Sequence, residues 1–395
     1  MRSGSYEFNI RELSGSVGDF GTLIPLSIAL ITINGLGFTT VFLMVGLFYL
    51  FSGLYFRLPI PVQPLKVVAA VAIASPEEVT VPVMAATGII FGSVLLLLAF
   101  TGLIEQIARL FTRPIVRGIQ LGLGLILIVK GINFIKEKDL FIQGLTNESM
   151  IGGVPVNLIV GLIAAAAALI LLNSKRFPAA LVLVTAGLII GAAYGALNNS
   201  EWELGPGDIS FYNPGLGDYA TAAYLLVLPQ IPLTIGNAII GTTDTARSLF
   251  GTGKATKKAS NTRFCFSMGL ANIPTGFIGG MPMCHGAGGL AAHYRFGART
   301  GGSNILIGLI LAFIALGFGT AGLTLLSSIP HAILGVLLLF AGIELAILVK
   351  DIHERKDFFI VVLIAGIGLA TTNLGIAFGV GILTSYLFRW WKVPI

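Results

Sequence analysis

The chain has 395 residues, of which 55% are hydrophobic and only 11% are charged, with a formal net charge of +6. A soluble domain carries about 25% charged residues, so this composition excludes one and requires lipid as the solvent. The two cysteines, Cys265 and Cys284, lie in apolar stretches and form neither a disulfide framework nor a metal cluster. The composition predicts an all-α polytopic membrane protein without metal or cofactor.

Proline, glycine and charge clusters divide the chain into about fourteen apolar segments. In chain order they are 18–34, 38–56, 61–75, 82–103, 114–130, 151–172, 177–197, 219–241, 262–278, 282–294, 303–326, 332–349, 358–371 and 374–388. A full helical span needs about 20 residues, so segments three and ten are short. Segments thirteen and fourteen are also short, and their boundary at Thr372 and Asn373 is weakly marked.

The basic residues support this division. If the N-terminus is cytoplasmic and the segments alternate, twenty of the 24 Lys and Arg residues fall on the inner side. They are Arg2, Arg11, Arg57, Arg109, Arg113, Arg117, Lys175, Arg176, Arg247, Lys254, Lys257, Lys258, Arg263, Arg295, Arg299, Lys350, Arg355, Lys356, Arg389 and Lys392. This asymmetry predicts a multi-pass protein with both termini in the cytoplasm. The basic stretch 254–263 is interpreted as a topology signal, so no nucleic acid partner is expected.

Segments one to seven and eight to fourteen show the same order of features. Each half has a helix with a central proline, then a full helix, then a short broken helix, marked by Pro25 and Pro61 and by Pro232 and Pro282. Seven is odd, so the second half is expected to be inverted. We predict a first repeat at 1–198, an extracellular linker at 199–218 and a second repeat at 219–395.

The broken segments three and ten are the strongest functional signal. Segment three contains Pro59, Pro61 and Pro64, which cannot all be helix interior, so an extended stretch should lead into a half-helix that begins near residues 62–63. Segment ten opens with the glycine-rich run 279–289. Two half-helix N-termini that meet inside the membrane form an anion site, because each carries about +0.5 charge.

Several polar side chains accompany this site. Lys66 is the basic residue placed deepest in the membrane, and Gln63, Cys284, His285 and Gly286 flank the breaks. A structural role is the alternative for Lys66, His285 and Cys284.

Two other segments carry polar residues. Asp19 is either a helix cap or a buried carboxylate for proton coupling, and His285 is a second coupling candidate. Gln230, Thr234 and Asn237 share one helix face, which favours a cavity lining over a helix–helix bond.

Four motifs stand out along the chain: 18–22 with Pro25, 61–66, 229–230 with 233–237, and 281–290 continued by 294–297. In these motifs, and over nearly its whole length, the chain resembles the molybdate transporters of plants and prokaryotes, relatives of the sulfate permeases. It implies a sulfate/uracil permease-like fold of seven plus seven segments with a core domain and a gate domain. It also implies uptake of molybdate, with Thr22 among the substrate-binding residues.

The combined prediction is a secondary active transporter of a tetrahedral oxyanion in the cell membrane, working by alternating access. Proton symport through Asp19 or His285 is one option, and the sequence leaves the coupling ion open. The resemblance alone favours molybdate over sulfate, which shares its charge and shape. A nucleobase permease is less favoured because segments eight and ten carry no carboxylate. The sequence contains no paired catalytic cluster of His, Asp or Glu, so an enzyme is not expected. The sequence leaves the coupling stoichiometry and a homodimer open.

Overall fold

The structure, a computed structural model, describes residues 6–108, 112–141, 150–171, 179–197, 203–251, 253 and 256–391. The basic residues Arg2, Arg109, Lys175, Arg176, Lys254 and Lys392 lie outside these residues, as do residues 199–202 of the predicted linker. Within the described chain the first half contains α1 (Ile10–Ser16), α2 (Phe20–Asn34), α3 (Phe38–Phe56), β1 (Gln63–Pro64), α4 (Lys66–Ala74), α5 (Val81–Thr101), α6 (Ile104–Ala108), α7 (Arg113–Ile135), β2 (Met150–Ile151), β3 (Val154–Pro155), α8 (Val156–Leu171) and α9 (Ala179–Ala193).

The second half contains α10 (Leu216–Phe250), α11 (Asn261–Phe277), β4 (Met283–Cys284), α12 (Ala287–Phe296), α13 (Gly302–Gly317), α14 (Gly319–Ser327), α15 (His331–Ala346), α16 (Arg355–Thr371) and α17 (Leu374–Trp391). Thr372 adopts a left-handed backbone with φ of 52°, which confirms the break between segments thirteen and fourteen.

Segments six, eight and eleven differ from the structure in their bounds or continuity. Segment six begins as an antiparallel hairpin of β2 and β3, and its helix starts only at Val156. Segment eight extends through α10 to Phe250, with π-helical turns on either side of Pro229 and Pro232. Proline rings displace the carbonyls one turn earlier, and local π adjustments accommodate such changes in helix interiors. Segment eleven divides at Phe318 into α13 and α14.

The helices pair in a way that relates the two halves. We call segments one to four and eight to eleven the core bundle and the remaining segments the gate bundle. In the core bundle, α3 packs against α13 and α5 packs against α11, while α7 packs against α15 in the gate bundle. If each segment is exchanged for its counterpart in the other half, the α3–α13 pair becomes the α11–α5 pair. The α7–α15 pair maps onto itself. This pairing agrees with the inverted repeat predicted from the sequence.

Glycines form the contact surface of the gate pair. A Cβ added at Gly335 would lie 2.6 Å from the carbonyl oxygen of Gly131, and a Cβ at Gly124 would lie 2.5 Å from that of Gly342. Small residues allow membrane helices to approach until their backbones touch, where dispersion is strongest. The gate pair therefore depends on the absence of side chains at these four positions.

Five helices in the described chain are long and apolar enough to cross a bilayer: Phe38–Phe56, Val81–Thr101, Arg113–Ile135, Leu216–Phe250 and His331–Asp351. The pair α1 and α2, bent by 48°, is a sixth candidate. Shorter apolar helices are Val156–Leu171, Ala179–Ala193, Gly302–Gly317 and Leu374–Phe388. The protein is a polytopic helical membrane protein, and the number of fourteen segments stays a prediction.

Gly335→Ala should destabilise the protein, because the new methyl group would overlap the Gly131 backbone and overpacking costs about 1–3 kcal/mol. The matched control is Gly366→Ala on α16, where an added Cβ meets no atom within 4 Å. Thermal unfolding in detergent should show a lower midpoint for the first variant only. Equal midpoints would contradict the close α7–α15 contact.

Candidate functional site

The two broken segments meet as a short antiparallel ladder in the protein interior. Gln63 lies opposite Cys284 and Pro64 opposite Met283, and the Leu65 N–H donates to the Pro282 carbonyl at 2.9 Å. The prediction that the first half-helix begins at residues 62–63 was wrong. Gln63 precedes a proline and is therefore disfavoured in helical conformation, so the strand continues and α4 begins at Lys66.

Side-chain donors satisfy the carbonyls of the extended segment 59–64. The ring Nδ1 of His293 donates to Pro59 at 3.1 Å, and that of His285 donates to Pro61 at 2.8 Å. The Asn304 amide donates to the Ile60 carbonyl at 2.6 Å. All three donors are buried and come from the second half of the chain, so the second half fixes the path of the first.

A matching clamp holds β4. Asn272 on α11 accepts from the Met283 N–H and donates to the Met283 carbonyl, both at 2.7 Å. His285 also contacts Ser267 on α11 through Nε2 at 2.9 Å. Buried backbone groups without partners are costly, and these contacts remove that cost. The ladder is therefore rigidly held on both sides.

The ladder directs the N-termini of α4 and α12 to one place. The first N–H groups of a helix have no partner within the helix, so the N-termini of both α4 and α12 can bind an anion. One such donor is already occupied, because the Val67 N–H donates to Oε1 of Gln230 at 2.9 Å. Gln230 in turn donates to Thr234 at 2.9 Å. This pair joins α10 to the start of α4.

A cavity of about 580 Å³ lies beside these N-termini, between the core and gate bundles. Its core wall includes Gly18, Asp19, Gly21, Thr22, Gln63, Lys66, Asn237, Ala287, Gly288 and Gly289. Its gate wall is mainly apolar and includes Leu127, Ala180, Val336 and Phe340, with Arg117 and Glu344 at the charged part of the lining. Apart from Arg117 and Glu344, the polar lining residues therefore lie on the core side.

Asp19 is a buried carboxylate at the centre of the core wall. It occupies the N-cap position of α2 but forms no capping bond, and its Oδ2 accepts from Nε2 of Gln63 at 2.7 Å. Of the two sequence interpretations, the buried carboxylate is therefore the one that this structure supports. A Cβ at Gly289 would lie 2.6 Å from Nε2 of Gln63 and 2.7 Å from Oδ2 of Asp19. Glycine is required at 289 for this carboxylate–amide pair to form.

The predicted site residues fall into two groups. Asp19, Thr22, Gln63, Lys66 and Asn237 line the cavity. Gln230, Thr234, Cys284, His285 and Gly286 are not among its lining residues, and their roles in substrate binding stay predictions. Gln230 and Thr234 are occupied with each other and with Val67, and the Cys284 thiol points to the Pro64 carbonyl at 3.8 Å.

Several lining residues of the cavity were not predicted as site residues. Ala287, Gly288 and Gly289 form the first turn of α12, and the glycine run 286–289 was the available signal for them. Arg117 was assigned only to the inner face. It forms a two-point ion pair with Asp351, at 2.9 Å and 2.5 Å, and donates to Gln120 at 2.8 Å.

The fold is similar to those of solved structures described as an anion transporter and a bicarbonate transporter. Murine Slc26a9, described as an anion transporter in the inward-facing state, superimposes with a TM-score of 0.66 at 15% identity, covering 98% of this chain and 69% of that one. A second SLC26A9 structure gives 0.66 and 15%, with 98% of this chain and 66% of that chain covered. The transmembrane domain of the cyanobacterial bicarbonate transporter BicA gives 0.62 at 15% identity, with 95% and 96% covered. The chain thus has the sulfate permease-like transporter fold.

Sequence comparisons give the family. Residues 11–127 and 222–345 match the family described as "Molybdate transporter of MFS superfamily". Molybdate transporter 2 of Arabidopsis thaliana is 32% identical, with 96% of this chain and 87% of the relative covered. Molybdate transporter 1 of the same plant is 28% identical (98% and 90%), and that of Chlamydomonas reinhardtii is 29% identical (94% and 90%). The chain belongs to the molybdate transporter family.

His285→Ala should lower stability and leave the pH dependence of transport unchanged, because His285 bonds Pro61 and Ser267 and does not line the cavity. A carbonyl left without its donor costs about 1–3 kcal/mol. Thermal unfolding and the pH profile of uptake per folded protein are the measurements. His353→Ala, on an exposed loop, is the control, and a shifted pH profile in His285→Ala would restore His285 as a coupling residue.

Proposed function

We propose that this chain takes up molybdate across the cell membrane as a secondary active transporter. The observation that carries the proposal is the convergence of two half-helix N-termini and Lys66 on one cavity. Molybdate is a tetrahedral dianion whose oxygens only accept hydrogen bonds. Backbone N–H groups, helix dipoles and an ammonium group are the matching donors. The family relatives named as molybdate transporters support this choice of oxyanion.

Sulfate is the nearest alternative because its charge and shape are the same. Slc26a9 and BicA, whose fold this chain shares, are described as an anion transporter and a bicarbonate transporter. Nucleobases are less well matched, since segments 219–241 and 282–294 contain no carboxylate to bind ring N–H groups. The absence of a catalytic cluster in the sequence favours transport without chemistry.

Alternating access is proposed to occur by movement of the core bundle against the gate bundle. The repeats 1–198 and 219–395 each contribute to both bundles, and the matched family stretches fall one in each repeat. The cavity extends to Glu344 and to Arg117, which the distribution of basic residues places on the inner side. We assign the structure to an inward-open state with both termini cytoplasmic. Assembly as a homodimer stays a prediction.

Proton symport is proposed as the driving reaction. A dianion that enters a negative cell interior works against about 2.3 kcal/mol per charge per 100 mV, so a co-transported cation lowers the barrier. Asp19 is the carboxylate that faces the cavity beside Lys66. When Asp19 is ionised it repels an oxyanion, and when protonated it does not. This property makes Asp19 the better coupling candidate, with His285 confined to its structural bonds.

The substrate is tested by uptake of radiolabelled molybdate into proteoliposomes with an inward proton gradient. Unlabelled molybdate and tungstate should compete strongly, sulfate more weakly and uracil not at all, because the site offers donors to a tetrahedral dianion. Competition by uracil without competition by molybdate would overturn the oxyanion assignment.

Lys66→Met should weaken molybdate binding at least about tenfold, since a hydrogen bond to a charged group contributes roughly 1.5–3 kcal/mol. The matched control is Lys130→Met on α7, whose ammonium lies 5.3 Å from the Phe134 ring and is not a lining residue of the cavity. Isothermal titration of both variants in detergent gives the dissociation constants. Unchanged affinity in Lys66→Met would remove Lys66 from the site.

A further inference from the structure

The amide of Gln63 is satisfied on one side only. Its Nε2 donates to Asp19, whereas its Oε1 is buried and has no hydrogen-bond partner in the described part of the chain. Gln63 itself is 1% exposed. A buried acceptor without a donor is costly, so an amide held in this state needs an explanation.

The position of Oε1 gives that explanation. It lies so close to Gly286, the residue preceding α12, that a side chain there would overlap it. The oxygen therefore occupies the place where an N-cap side chain usually sits, facing the positive end of a helix. An oxyanion bound at α12 would meet this oxygen and the Asp19 carboxylate, which are both acceptors.

We propose that Gln63 is a proton-dependent donor to the transported anion, an inference that rests on the oxyanion transport proposed above. A proton from the water of the cavity binds a carboxylate oxygen of Asp19. The amide of Gln63 then turns by half a rotation about its last side-chain bond. Oε1 accepts from the protonated Asp19, and Nε2 takes the place beside Gly286 and points its N–H toward the α12 N-terminus.

Each state of the amide has a defined set of partners. With Asp19 ionised, Gln63 donates to Asp19 and presents an acceptor at α12. With Asp19 protonated, Gln63 presents a donor at α12, where the neighbouring groups are also donors. That second arrangement requires an acceptor, and the oxyanion supplies it. Proton binding and anion binding therefore favour each other, which is the condition for symport.

The titratable groups beside Asp19 are Lys66 on α4, Tyr49 on α3 and Cys284 on β4, and of these the Lys66 ammonium attracts the ionised carboxylate. Lys66 stabilises ionised Asp19 while the site is empty. A bound dianion competes for Lys66 and repels the carboxylate, so the proton is taken up together with the anion. One proton enters Asp19 with each anion and returns to water on the opposite side when the anion leaves.

The test is the dissociation constant of molybdate for purified wild-type protein and Gln63→Met, measured from mildly acidic to mildly alkaline pH. Methionine has nearly the length of glutamine and lacks the donor. At acidic pH, where Gln63 donates, the wild type should bind molybdate at least about tenfold more tightly than Gln63→Met does. At alkaline pH, where Gln63 does not donate, the two proteins should bind molybdate nearly equally. A ratio that stays constant with pH would show that Gln63 has a structural role only.

Two further variants keep the test decisive. Asp19→Asn carries a permanent donor for Oε1, so its molybdate binding should be independent of pH, and binding as pH-dependent as in wild type would overturn the proposal. In Gln63→Glu, the new carboxyl group shares one proton with Asp19, and the pair must bind a second proton before the new group can donate to the anion. The affinity of this variant for molybdate should therefore fall more steeply with rising pH than that of wild type. An equal slope would contradict the proposal. Thermal unfolding verifies that each variant is folded. If wild-type protein binds molybdate at no pH, the proposed function itself fails, independently of Gln63.

Discussion

Two extended segments cross in the interior of a lipid-solvated protein, and their backbone groups must find partners there without water. The rest of the structure depends on how this requirement is met. The ladder of Gln63 with Cys284 supplies part of the bonding. Buried side chains supply the remainder: His285 and Asn304 hold the first segment, and Asn272 holds the second. Because these donors are fixed, the half-helices that follow have fixed starting points.

The same crossing explains why the polar part of the cavity lies on one bundle. The first turns of α4 and α12 expose N–H groups beside Lys66, while the gate helices contribute an apolar wall joined by glycine contacts. In the proposed alternating access, the core would carry Asp19, Gln63 and Lys66 together past the largely apolar gate wall. Glycine at 289 allows Asp19 and Gln63 to meet within this core. The crossing of the two extended segments thus determines where the charged groups of the cavity lie and how the backbone around them runs.

Much of this architecture could be predicted from the sequence. Proline and glycine clusters identified both broken segments, and the charged, polar residues near them included Asp19, Gln63 and Lys66. Position along the chain could not distinguish a lining residue from a supporting one. His285 and Gln230 look like ligands because they are polar in apolar segments, but tertiary contacts with Pro61 and Val67 occupy them. The helix start at Lys66 was missed because cross-strand pairing extended the chain beyond the prolines.

The central claim is that the oxyanion binds between the two half-helix N-termini. Anomalous scattering from tungstate, an isosteric heavy-atom analogue of molybdate, in crystals of the purified protein tests this location directly. We predict one dominant peak within hydrogen-bonding reach of the first turn of α12, at Ala287–Gly289, and beside the Lys66 ammonium group. A dominant peak at Arg117, with none between the N-termini of α4 and α12, would contradict the account.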